Sequence, residues 1–143
     1  MHVKQISVFI ENSSGRLADF TALLGKENID LVSLSIGDTT HFGILRAIVA
    51  DYERAVKIIS DAGYTLRLTD VLAVAVPDEP GGLSKVLRIL SEEDISIEYL
   101  YSFVRNAGKN ALIVFRVVEL EKASKLLSKR GIQLLSQEEV RYL

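Results

Sequence analysis

At the start of the chain, Ile6, Val8 and Ile10 alternate with Ser7 and Phe9, the period-two pattern of a strand buried on one face. Leu17, Phe20, Leu23 and Leu24 then recur at helical spacing. The same succession returns later in the chain. Leu72-Ala73-Val74-Ala75-Val76 is a second apolar strand, and Leu83, Val86, Leu87 and Leu90 form a second helical stripe. Superposing the two stretches at an offset of 66 residues places Gly15 on Gly81, Leu17 on Leu83, Leu24 on Leu90 and Ile29 on Ile95. Past the middle loop the offset becomes 68, with Ile44 on Leu112, Ala55 on Ala123 and Gly63 on Gly131. The second copy therefore holds two extra residues within Arg105–Asn110. The chain is a tandem repeat, and the pattern predicts two domains, residues 1–69 and 70–143.

Each copy predicts strand, helix, strand, strand, helix, strand. Asn28 and Asp94, each followed by Ile, mark the exit from the first helix, and Val32–Ile36 and Ile97–Phe103 are the second strands. Gly43–Val49 and Ala111–Val118 are the third. Helices follow over Asp51–Ala62, with Asp51 as N-cap, and over Glu119–Arg130; both stop at a glycine, Gly63 and Gly131. Tyr64–Leu68 and Ile132–Leu135 are short fourth strands, and a brief turn is expected between the first of these and strand Val71–Val76. The fold class is α+β: two ferredoxin-like βαββαβ units in tandem, with antiparallel sheets covered by helices on one face.

Composition narrows the function. Seventeen Lys and Arg against nineteen Asp and Glu give a net charge of −2, which offers no electrostatic footprint for nucleic acid or a membrane surface. With no Cys and two His, thiol catalysis and cysteine metal sites are excluded. No Gly-x-Ser-x-Gly elbow, P-loop or dinucleotide fingerprint occurs, so the reading is of a non-enzyme without cofactor or metal. Neither a transmembrane run nor a signal peptide is visible, and a cytoplasmic protein is expected. Hydrophobic residues make up 48% of the chain, and several strands are apolar on both faces, as in Leu112-Ile113-Val114-Phe115. Helices cover one face of each sheet, so this surplus predicts a homodimer packed through the other.

The turns after the first strand of each copy carry a family likeness. Val76-Pro77-Asp78-Glu79-Pro80-Gly81-Gly82-Leu83 resembles the first strand and turn of an ACT domain, in which an acidic residue or Asn precedes Pro-Gly-x-Leu. Glu11-Asn12-Ser13-Ser14-Gly15-Arg16-Leu17 resembles the same turn, with Ser14 in place of Pro. The exits Asn28-Ile29-Asp30 and Asp94-Ile95-Ser96 are also similar to that family. The resemblance spans both copies and implies a protein that binds a free amino acid between this turn and an adjoining ACT unit. Carried over, the implied ligand-binding positions are Asn12, Ser13, Ser14, Gly15, Arg16, Leu17 and Asp30 in the first copy. In the second they are Asp78, Glu79, Pro80, Gly81, Gly82, Leu83 and Ser96.

The chemistry of the turn agrees with that. A helix N-terminus presents N–H groups without intrahelical partners, which suit a carboxylate. Asn12-Ser13-Ser14 is neutral and rich in hydrogen-bonding groups, whereas Asp78-Glu79 repels a carboxylate, so the first turn is the better candidate. The bland alternative is that the glycines are there for turn geometry and Asn12 caps a helix. His41 and Phe42 line the pocket only if their loop folds toward the turn; Arg46, inside an apolar strand, needs a partner. Tyr99, Tyr101 and Phe103, with Ile97, read as one apolar stripe on a strand. Two functions remain open: an amino-acid sensor that regulates its assembly or a partner enzyme, and an interaction subunit of an amino-acid biosynthetic enzyme, acetolactate-synthase-like, with vestigial ligand sites.

Overall fold

Strand β1 (Val3–Glu11) keeps the alternation of its sequence, with Ile6, Val8 and Ile10 buried and Phe9 exposed. The computed structural model describes residues 1–11, 13–38, 42–105 and 108–143. After β1 come α1 (Arg16–Lys26), β2 (Leu31–Asp38), β3 (Phe42–Val49), α2 (Tyr52–Asp61) and β4 (Thr65–Pro77). A second round follows with α3 (Gly82–Glu92), β5 (Ile97–Ser102), β6 (Asn110–Val117), α4 (Leu120–Lys129), β7 (Gln133–Leu134) and α5 (Gln137–Arg141). The chain divides into two compact units, Lys4–Thr69 and Asp70–Leu143, the latter including Met1–Val3.

In the first unit the strand order is β2-β3-β1-β4, with β3 antiparallel to both of its neighbours. Ile6, Val8 and Ile10 of β1 and Leu45, Ala47 and Val49 of β3 form one face, closed by Phe20 and Leu24 of α1 and Ala55 and Ile59 of α2. The second unit has the order β5-β6-β4-β7. Its core repeats the plan: Leu72, Val74 and Val76 with Ile113, Phe115 and Val117, under Val86 and Leu90 of α3 and Ala123 and Leu127 of α4. These are two ferredoxin-like units, each an antiparallel sheet with helices on one face. The N-terminus is tied into the second of them, since the Met1 ammonium donates to Ser124 Oγ at 2.9 Å and Val3 is fully buried.

The repeat extends to the turns that close α1 and α3 and to the bulges that follow them. Asn28 and Asp94 take the left-handed conformation, φ 57° and 54°, which their short polar side chains tolerate. That lets Ile29 donate to the Leu24 carbonyl and Ile95 to the Leu90 carbonyl, closing α1 and α3 alike. A β-bulge falls between Leu31 and Ser33 and again between Ile97 and Tyr99, the same place in both copies. Asp51 caps α2 through Oδ1, which accepts from the Arg54 N–H at 3.2 Å.

Three sequence expectations are corrected. No turn separates Tyr64–Leu68 from Val71–Val76: β4 runs unbroken over thirteen residues, Thr65–Pro77. Neither Gly nor Pro interrupts it before Pro77, so nothing in the chain favours a turn there. The last strand is shorter than Ile132–Leu135 and gives way to α5, whose Ser136 and Glu139 form a reciprocal capping box. The stripe Ile97–Tyr99–Tyr101 is broken by the bulge. Ile97 pairs with Val117 and packs on the helix-covered core, whereas Tyr101 pairs with Val114 on the opposite face. Tyr99 and Tyr101 stack with ring centroids 6.4 Å apart. The helix-free positions Val71, Ala73, Ala75, Leu112 and Val114 are buried within a single chain.

Candidate functional site

The first turn is built by the end of β1 and the start of α1. Gly15 is the N-cap at φ 87°, a left-handed conformation that costs glycine nothing, and no side chain caps the helix. The Ser13 N–H donates to the Glu11 carbonyl at 2.9 Å and the Arg16 N–H to the Ser13 carbonyl at 3.3 Å. Leu17 and Ala18, next in the helix, have no intrahelical acceptor for their N–H groups. Ser13, Ser14, Gly15, Arg16 and Leu17 are all exposed. Asn12 and His41 lie outside the described residues.

Arg16 is the charged centre of the turn. Its Nη2 donates to Glu11 Oε2 at 3.0 Å across an exposed pair. That hydrogen bond, and then the charge of Glu11, hold the guanidinium above its ordinary pKa. Beside the pair lies a cleft of about 310 Å³, at the small end of ligand pockets. Its walls are Phe9 and Ile10 from β1, Glu11 and Arg16 from the turn, Gly63 and Tyr64 from the α2–β4 connection, and Thr65 at the start of β4. Tyr64 is held there by an edge-on contact with the buried Phe20, with centroids 5.3 Å apart.

A family model described as an ACT domain pair matches residues 1–143. The chain belongs to the ACT domain pair family. The crystal structure of protein BT0572 from Bacteroides thetaiotaomicron is 40% identical, covers 100% of this chain and 98% of that one, and superposes with a TM-score of 0.93. The ligand-free regulatory subunit of aspartate kinase from Thermus thermophilus shares the fold at 15% identity and a TM-score of 0.62, over 90% of this chain and 91% of that one. The aspartokinase alpha and beta subunits share it at 16% identity and 0.57, over 90% and 91%. No curated protein matches in sequence.

The second turn of this ACT pair repeats the first in its backbone. Gly81 is the N-cap at φ 83°, Glu79 donates to the Pro77 carbonyl and Gly82 to the Glu79 carbonyl. The side chains differ. Gly82 is buried, and a Cβ there would overlap the Pro77 carbonyl oxygen, whereas Arg16 carries a long side chain at the matching position. Asp78, Glu79, Pro80 and Gly81 are exposed and line none of the described clefts; Leu83 borders a shallow groove along α3.

Asp30 and Ser96 are not brought to these turns within their own units. Each follows the far end of an eleven-residue helix, about 16 Å away along the axis. Both are exposed, and their carbonyls accept from Ala50 and Val118. Arg46 lies on the helix-free side of β3, paired in register with Ser7 and Ser35, and does not line the cleft.

Sequence reasoning missed Glu11 and Tyr64. Glu11 had a local signal, an acid five residues before Arg16 across a turn. Tyr64 had the helix stop at Gly63 just before it, which turns the chain back toward β1, but only the fold shows where the ring arrives.

Proposed function

We propose that this ACT pair is a non-catalytic sensor that binds a free amino acid in the cleft beside the first turn. The observation carrying this reading is the Arg16–Glu11 pair at the mouth of a cleft of about 310 Å³. A zwitterion brings one carboxylate and one ammonium, and the pair offers a cation and an anion side by side. The ligand carboxylate takes Arg16 and the free N–H groups of the first helical turn; the ammonium takes Glu11. Phe9, Ile10 and Tyr64 supply the wall for its side chain.

Occupancy acts on assembly or on a partner enzyme only so far as the ligand prefers one arrangement over another. A partner from amino-acid biosynthesis fits, since regulatory subunits of aspartate kinase share this fold. Calorimetry with each of the common amino acids tests the proposal. Binding in the micromolar-to-millimolar range is expected for at least one, weakened about tenfold or more by Arg16→Gln, the loss of a charge-assisted hydrogen bond. No heat with any amino acid, or equal affinity in the variant, would overturn it.

A further inference from the structure

We propose that the second unit carries a separate site for a small phosphate-bearing molecule, in the cleft that α3 forms with the end of α4. The cleft measures about 480 Å³. Ser84, Lys85, Arg88 and Glu92 recur along α3 at spacings that set them on one side of the helix, and Arg130, the C-cap of α4, closes the cleft from across. Three cations thus face one carboxylate, in a chain whose net charge is −2.

The carboxylate is already committed. Glu92 Oε2 accepts from Arg130 Nη1 at 3.5 Å and holds that guanidinium at the cleft. Among the described residues, neither Lys85 nor Arg88 has a side-chain hydrogen bond or ion pair. Their charges stay available to an anion, with the Ser84 hydroxyl beside them as a further donor. Ile89, almost fully buried, and Ile132 give the cleft an apolar floor, which favours an anion carrying an organic body over a bare ion.

The first unit supplies an internal comparison, because it has the same fold without these charges. Lys85 corresponds there to Asp19, Arg88 to Ala22 and Arg130 to Ala62. Helix packing therefore requires none of the three cations; they belong to the second copy alone. Phosphate groups suit the arrangement better than a single carboxylate, since several oxygens can meet a lysine and two guanidinium groups together.

Titration of the whole chain with ADP and with pyrophosphate, at low salt, tests the site. ADP is expected to bind, and more tightly than pyrophosphate because of the apolar floor. The double variant Lys85→Gln/Arg88→Gln, at two exposed positions, should weaken ADP by about tenfold or more. The double variant Arg54→Gln/Lys57→Gln on α2 removes the same charge from the first unit and should leave the affinity unchanged. Absence of binding at millimolar ADP, or equal weakening in both variants, would overturn the proposal. These readouts are independent of amino-acid binding at Arg16.

Discussion

The carbonyl oxygen of Pro77 occupies the space into which any side chain on Gly82 would project, and the clash is with backbone rather than with a flexible side chain. Gly82→Ala should therefore cost about 1–3 kcal/mol, the usual penalty for overpacking a tight site. A lowered urea midpoint would show it. Gly15→Ala meets only open space and pays for its left-handed backbone alone, so its cost should be smaller. The pair Gly81-Gly82 stands out in the sequence, but the reason for the second glycine does not. It depends on the chain five residues beyond the strand returning to the strand's last carbonyl, that of Pro77. The same holds at the candidate site. Gly15 and Arg16 were legible from the turn motif. Tyr64 was not, because it reaches the cleft from the end of a different helix and is fixed by Phe20.

Among the elements, α5 is the one whose stability rests most on its cap. It spans five residues, too few to hold together on helix propensity. Ser136 Oγ accepts from the Glu139 N–H at 3.1 Å, and Glu139 Oε2 accepts from the Ser136 N–H at 2.7 Å. Ser136→Ala should cost about 1 kcal/mol, and faster amide exchange confined to residues 137–141 would report it. Ser-x-x-Glu ahead of Val140 was readable in advance as a helix start. The bulges of β2 and β5 were not. Val32 and Glu98 share no chemistry that marks an extra residue, and the alternation simply changes phase there. That is why Ile97 looked continuous with Tyr99 and Tyr101.

For the molecule as a whole, the repeat was legible because two copies of one pattern confirm each other, and its core positions followed from period two and period 3.6. The fate of the remaining apolar residues was not legible. Helix-free positions such as Val71, Ala73 and Val114 read as surface awaiting a partner, and they are buried within one chain. Sequence alternation tells that a face is apolar, never what covers it.

The unbroken β4 has a consequence for how this chain can change. Its even-numbered residues supply both cores, Leu66 the first and Leu72, Val74 and Val76 the second. Within the second unit's stretch of that strand, Leu72, Val74 and Val76 must keep one parity to fill one core. One residue inserted between Ala73 and Val74 would turn Leu72 away from the core that Val74 and Val76 fill unless a bulge absorbed it; two residues would restore the phase. An Ala insertion there should lower the urea midpoint far more than an Ala-Ala insertion, and equal effects would show that β4 does not transmit the phase. In the loop after β5 the second copy is longer than the first by two residues. Inside the strand, changes of length count in even numbers.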